Sequence, residues 1–530
     1  MTWLRDCDWL PAYLRPLTAF AMICLAGYFS FWAFFCSMWI GFLFSAAVGG
    51  TAAGRLFYRR SDWKGVFWDD FEFRTAWLLI LLVGSGYAGI VYAYYSHSDI
   101  ETLVMSRFLP EMPTDNLLPR FFADCLASGE RLRDVSFGEW LSSDRPPLQS
   151  GIILLLRAPW QMAGLDPVQI ATAAGIWFQL LWLPALWALL RALGARPRAT
   201  AAVVTLTVFT GFNLFHSVYA WPKLGAAALL LGGASLIIAP PGESSIKRWA
   251  LAAGMFALAH LAHGGADFSI LAFGLFFAWR KFRPKRRELA AAILAFEVLA
   301  APWMVYQKVY DPPGNRLLKM HLAGVKSVDE RTFSKALGDS YRKIGWSGAW
   351  HNKYENLKTI SNHAFTHLLE LKVQQGDVAL RQEKEFYCFF RALDIAIFAV
   401  LALPLTLCIP WRKWSSDPPL LANACAVLAW AAFTLLLWVL LMFGPGTTLI
   451  HQGSLAPLLL LFAVPSLLLL NCSWRWFAML AVAQFASFVA TWWPAPKPIA
   501  GMVNPCAVII CLVCLFGAVW LVFTMPDDVA

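Results

Sequence analysis

A chain of 530 residues that is 59% apolar and only 14% charged is not a water-soluble globule, for which roughly 45–50% apolar and about 25% charged residues are usual. Its mean hydropathy is +0.57, and Lys+Arg exceed Asp+Glu by 43 to 33, a net charge of +10. These values exclude a soluble α/β enzyme, a disordered chain and a secreted disulfide scaffold, and unbroken apolar runs without alternation exclude an outer-membrane barrel.

The 27 Trp suit a chain with many membrane–water boundaries. The 11 Cys are scattered, mostly in apolar runs, and read as packing thiols. No Cys/His cluster marks a metal site. The net positive charge tracks loop position rather than nucleic-acid binding, so no nucleic acid is expected as a partner.

Apolar runs occupy 17–54, 75–95, 168–190, 200–215, 223–239, 249–264, 266–279, 288–306, 389–410, 418–442, 453–470, 477–493 and 505–524. The first run begins near Pro16 and is too long for a cleavable signal. It is read as a hairpin of two spans or one long tilted helix. Run 266–279 is short enough to be re-entrant. The expectation is an all-α polytopic membrane protein with about 13–14 transmembrane helices and two long outer-face loops carrying juxtamembrane helices.

Lysine and arginine set the orientation. Arg55, Arg59, Arg60, Lys64 and Arg74 form one cluster, Arg191, Arg196 and Arg198 the next, then Lys247 with Arg248. Arg280, Lys281, Arg283, Lys285, Arg286 and Arg287 follow, then Arg412 with Lys413, and Arg475. The short connections on the other side hold only Lys223 and Lys497. The positive-inside rule assigns the basic side, and both termini, to the cytoplasm. Segments 96–149 and 307–388 then lie outside, and both are too long for plain connectors. Four regions follow: 1–74, an N-terminal hairpin and cytoplasmic loop; 75–306, a transmembrane core with a first outer loop over 96–167; 307–388, an amphipathic outer segment; and 389–530, the C-terminal spans.

The first outer loop carries Asp115-Asn116 ahead of a short helical stretch over 117–128, then Ala127-Ser128-Gly129, then Asp144-Arg145-Pro146-Pro147-Leu148. Asp115 near a helix N-terminus is electrostatically favoured there, and its helix-capping role is the plain reading. Asp144 with Arg145 reads equally as a surface ion pair. Pro146-Pro147 sets an extended entry to the next segment. The acid, the Ser-Gly turn and the Pro-Pro-Leu run, in this order after a span that ends outside, resemble the C superfamily of membrane glycosyltransferases. The likeness is to its protein O-mannosyltransferase and lipid A aminoarabinose transferase branch, and it covers roughly residues 75–240. It implies that 150–164 is a juxtamembrane helix and that Asp115 is a catalytic base. The base would deprotonate an acceptor that attacks a polyprenyl-phosphate-linked sugar, with inversion. The implied partners are that donor, a lipid, glycan or protein acceptor, and membrane lipids. The implied location is the outer, periplasmic face of a bacterial inner membrane. No cofactor is certain; a divalent metal would be compatible with such chemistry, but no ligand cluster supports one.

Further candidates lie on the same side. Arg145 suits bidentate contact to a phosphate. His216 and Lys223 flank a turn where the second acid of the family is replaced by a cation, and a cation at a helix start calls for an anion; snorkelling beside Trp221 is the plain reading. His263 and Asp267 crowd a Gly-Gly turn and could line a sugar pocket. Arg316 and Lys319, with His321, follow a Pro-Pro-Gly-Asn turn and suit a phosphate headgroup. His451 and Gln452 enter a span from outside. A transporter or flippase of a lipid-linked sugar, or an inactive protein of the same fold, is the alternative. The transporter would bury ionisable residues mid-span, where Glu297 is the clearest case in these runs.

Overall fold

The computed structural model describes residues 9–58, 70–93, 104, 113–239, 245–278, 284–361, 377–408, 418–447, 455–493 and 503–524. Among them it is helical with no strand; one isolated bridge pairs Phe137 with Trp140. The chain runs α1 (Arg15–Cys36), α2 (Met38–Tyr58), α3 (Phe71–Tyr92), α4 (Leu118–Ala127), α5 (Leu148–Met162), α6 (Pro167–Leu180), α7 (Trp182–Ala192), α8 (Pro197–Val208), α9 (Gly211–Val218) and α10 (Lys223–Ile238). Next come α11 (Ser245–Ala262), α12 (Ala266–Ala278), α13 (Arg286–Val305), α14 (Arg316–Ala323), α15 (Phe333–Ser361) and α16 (Asp377–Tyr387). Then α17 (Ile397–Leu401), α18 (Leu403–Cys408), α19 (Pro418–Leu441), α20 (Leu455–Cys472), α21 (Trp474–Trp492) and α22 (Pro505–Phe523) complete the fold.

This is an all-α polytopic membrane protein. By length and composition, 6 of the described helices can cross a membrane, or up to 8 if each of two bent pairs is one span. Three further apolar helices, within α10, α12 and α22, are shorter. Apolar letters alone do not separate a full span from a shorter buried helix. Run 17–54 divides at Ser37, which is extended (φ −167, ψ 140) and separates α1 from α2. Run 200–215 bends by 72° between α8 and α9. That break would strand backbone groups in an apolar interior. Thr210 caps α9 by accepting from the Asn213 amide at 3.3 Å, and the Gln484 side chain donates to the Phe209 carbonyl at 2.9 Å.

Two ends of the bundle are distinct. At one end Asp70 caps α3, accepting from Phe73 N at 3.0 Å, and meets Arg15 at 3.5 Å. Glu72 accepts from Arg191 there at 3.2 Å and from the Trp187 indole. Arg248 donates to the Leu236 and Ala239 carbonyls and so closes the C-terminal end of α10. The opposite end is where α10 begins at Lys223 and where α4 and α5 meet.

α10 is buried along its whole length and forms the centre of the bundle. α5, the expected juxtamembrane helix, has 15 residues, about 22 Å at 1.5 Å per residue and too short for a span. Its first half is buried against α1 through two glycines. A Cβ on Gly151 would sit 2.2 Å from the Gly27 carbonyl oxygen, so the helices cross backbone to backbone. This contact fixes the direction in which the Arg145-Pro146-Pro147 turn leaves the bundle. α15 buries only Ala336, Asn356 and Ile360 and presents Trp346, Trp350 and Tyr354 outward.

Candidate functional site

Asp115 lies in a single 3-10 turn, Thr114–Asn116, just before α4. No side chain caps α4. The Asp115 carboxylate instead meets the Arg145 guanidinium, and both are buried. The plain alternatives, a helix cap for Asp115 and a surface pair between Asp144 and Arg145, are therefore not what the chain forms. Asp144 turns the other way, accepting from its own turn at Leu141 N (3.0 Å) and lying 3.6 Å from Arg316. Burial pushes the Asp144 carboxyl up from its usual value, against the Leu141 amide and the charges of Arg316 and Arg145.

A second turn brings Lys223 to the same place. Ala220 adopts a positive φ of 55. Its carbonyl accepts from Gln149 at 2.8 Å, and Asn116 donates to the Tyr219 carbonyl at 3.2 Å. The Tyr219 hydroxyl reaches the Pro113 carbonyl, so the turn is stitched to the Asp115 loop from both sides. Lys223 is buried with its ammonium 3.0 Å from the centroid of the Trp221 ring, within Coulombic reach of both Asp115 and Arg145. His263 and His321 feel the charges of Lys223 and Arg145 in turn. His263 Nδ1 accepts from Gly265 N at 3.0 Å, which leaves the proton of a neutral ring on Nε2. Burial holds His321 down at about 4, partly offset by its contact to the Thr447 carbonyl at 2.9 Å. The site therefore sets the Asp115 carboxylate beside the Arg145 guanidinium, the buried Lys223 amine and two imidazoles, with the buried Asp144 within Coulombic reach of Arg145 on its other side. Asp115 Oδ1 and Arg145 Nε are buried without a hydrogen-bond partner among the described residues.

The floor is built from residues the sequence did not single out. The indole of Trp140 backs the guanidinium of Arg145 at 4.5 Å and that of Arg316 at 5.4 Å. Trp140 is held by a tight bridge to Phe137, with Gly138 at φ 58 making the turn. Asp311 accepts from Ser142 Oγ at 2.6 Å and Ser143 N at 2.9 Å; Gln307 donates to the Ser143 carbonyl at 3.0 Å. The end of α13 thus clamps the turn that carries Arg145.

The remaining candidates are distributed differently. Arg316 is buried against Asp144 and the Glu139 carbonyl, and Lys319 donates to the Asp329 carbonyl. Asp267 pairs with His260 at 2.7 Å, away from the Asp115 cluster's hydrogen bonds. His216 is buried in an aromatic stack, 5.0 Å from the Phe386 ring and 4.8 Å from Phe212. His451 and Gln452 lie outside the described residues. Glu297, the mid-span acid of the sequence, is exposed on α13. A second polar cluster was not anticipated at all. Glu385 on α16 accepts from the Trp492 indole at 2.6 Å, and Asp394 accepts from Gln484 and Ser487, each at 3.0 Å. Among the described residues no group of three or more His, Cys, Asp or Glu could hold a metal ion.

No family model and no curated protein matches the chain. Two solved structures align with parts of it. One is ArnT from Cupriavidus metallidurans bound to undecaprenyl phosphate, at 13% identity and a TM-score of 0.45, covering 79% of this chain and 69% of that one. The other is the archaeal oligosaccharyltransferase AglB from Archaeoglobus fulgidus in complex with an inhibitory peptide and a dolichol-phosphate. It aligns at 10% identity and a TM-score of 0.39, covering 86% of this chain and 56% of that one.

Proposed function

We propose that the chain is an integral-membrane glycosyltransferase that moves a sugar from a polyprenyl-phosphate-linked donor to a hydroxyl-bearing acceptor on the outer face. The observation that carries this reading is the buried pairing of Asp115 with Arg145, set beside Lys223, His263 and His321. The buried Arg145 guanidinium beside the Lys223 amine forms a donor set that suits an anion, and the sequence resemblance supplies a sugar phosphate as that anion. The acceptor oxygen forms a bond to the anomeric carbon, and the bond from that carbon to the phosphate oxygen breaks. The acceptor proton passes to Asp115, and the electron pair leaves on the lipid phosphate, whose charge Arg145 and Lys223 balance. Attack opposite to departure inverts the anomeric centre.

Arg145 has two claims on it. It holds Asp115 in the fold; a donor phosphate competes for the same guanidinium and releases the carboxylate as a base. Incubation of the purified, reconstituted protein with radiolabelled polyprenyl-phosphate sugars and extracted lipid acceptors tests the reading. Label transfer by the native chain and none by folded Asp115→Asn supports it; label that crosses the vesicle membrane without changing carrier would replace it with a flippase. The flippase reading is favoured by one observation, the buried Glu385 and half-buried Asp394 in a helix pair bent by 75°.

A further inference from the structure

α16 meets α21 through two buried side chains that the proposed reaction does not use. Gln382 and Glu385 lie one helical turn apart on α16, and both are buried. They reach consecutive residues of α21. The Gln382 amide donates to the Thr491 carbonyl at 2.8 Å, and Glu385 Oε2 accepts from the Trp492 indole at 2.6 Å. The other oxygen of each side chain, Gln382 Oε1 and Glu385 Oε1, is buried without a hydrogen-bond partner among the described residues. The charged groups within Coulombic reach of Glu385 are Arg381 on α16 itself, and Arg391 and Asp394 on the turn that follows. Arg381 donates to Ser487 at 3.2 Å, and Asp394 accepts from Gln484 and Ser487. α9 brings His216 to the same region, stacked on Phe386. The indole is thus the one donor that the Glu385 carboxyl has among the described residues.

A buried carboxylate with a single neutral donor is costly, whereas a carboxylic acid is tolerated. A proton on Glu385 Oε1 makes that atom a donor, and Gln382 Oε1, one turn before it, is an acceptor that lacks one. We propose that Glu385 is a carboxylic acid in the folded chain at neutral pH, and that its proton, shared with Gln382, latches α16 to α21. The latch makes Glu385 a positioning residue for the candidate site, and in that respect it rests on the proposed function. Phe386, the next residue, lies parallel to the His216 ring at 5.0 Å and to the Trp221 ring at 6.3 Å. Trp221 in turn backs the Lys223 ammonium at 3.0 Å. Loss of the proton sets a carboxylate against the Gln382 carbonyl oxygen, loosens α16 from α21, and unseats Phe386 from Trp221.

The test starts with infrared spectroscopy of the full chain in an ester-free detergent. At pH 7 the native chain should show a carboxylic C=O stretch that Glu385→Gln lacks; identical spectra overturn the proposal. Glutamine keeps an oxygen for the Trp492 indole and supplies the N–H that Gln382 Oε1 lacks, so this variant should melt at or above the native temperature at pH 7. An unfolded glutamate gives up its proton at about 4.3. Above that value the folded chain keeps a proton that the unfolded chain has lost, so native stability should fall relative to Glu385→Gln as pH rises. Parallel melting curves overturn the latch. Hydrogen exchange over residues 215–224, measured against Glu385→Gln at the same pH, should quicken about tenfold in the native chain at about pH 9. Equal rates in the two proteins overturn the positioning of Phe386 and Trp221. None of these readouts uses turnover, so a chain that transfers no sugar leaves the latch standing, and failure of the latch leaves the proposed activity to its own test.

Discussion

The guanidinium of Arg145 is held between the Asp115 carboxylate and the face of the Trp140 ring, 4.5 Å from the ring centroid. This one contact couples the two roles that the proposed reaction needs. The residue that would hold the departing phosphate is, before the donor arrives, the partner of the residue that would take the acceptor's proton.

The coupling separates activity from stability. Asp115→Asn should lower transfer by about 10²–10⁴-fold, the usual contribution of a positioned base. It should also destabilise the protein, because removing one partner of a buried ion pair costs about 3–5 kcal/mol. Adding Arg145→Gln to Asp115→Asn should restore much of the thermal stability and none of the transfer. A double variant as unstable as the single one would show that the pair is not what buries Arg145.

Arg145→Lys keeps the charge and loses the planar fork. Lysine gives a point charge where guanidinium gives two parallel donors. The expected outcome is a KM for the donor raised about tenfold or more with a smaller fall in kcat. Steady-state rates against donor concentration at saturating acceptor check this, and an unchanged KM would remove Arg145 from the phosphate.

Asp311 acts at one remove from the chemistry. Its carboxylate takes Ser142 Oγ and Ser143 N, and so fixes the turn before Arg145. Asp311→Ala leaves these buried donors unsatisfied, at about 1–3 kcal/mol each. Transfer should fall with a raised donor KM, and limited proteolysis should open the 136–146 segment. Asp311→Asn should recover part of both. A loss of kcat alone, with the segment still protected, would argue for direct participation instead.

The general architecture was legible in the sequence because it depends on composition and on loop charge, both local quantities. Asp115 was singled out by its place in the family resemblance, Arg145 by its fit to a phosphate and Lys223 as a cation at a helix start; the structure brings the three together, and their roles are those of the proposal. What composition could not give is the set of contacts made across the chain. Asp311 is selected by Ser142, which precedes it by 169 positions. Trp140 is one of many tryptophans until Arg145 and Arg316 are found against it. Glu385 gave no signal either, since its indole partner Trp492 lies 107 positions away. The number of spans was also hard to read, because α10 is buried protein throughout and its letters match those of a helix in lipid.

His321 makes the site sensitive to pH. In the folded chain it stays neutral down to about 4, whereas an unfolded histidine takes up its proton near 6.5. Between these values the unfolded state binds more protons, so stability falls as pH is lowered from about 6.5 toward 4 and is unaffected by this group above that window. His321→Gln removes the titrating group and should flatten this part of the curve, leaving any residual slope to other residues. Melting temperatures of both proteins in the same detergent across pH 4–7.5 provide the measurement. Parallel curves would show that His321 takes up its proton in the fold as readily as in the unfolded chain, so that burial does not hold the ring neutral below about pH 6.5.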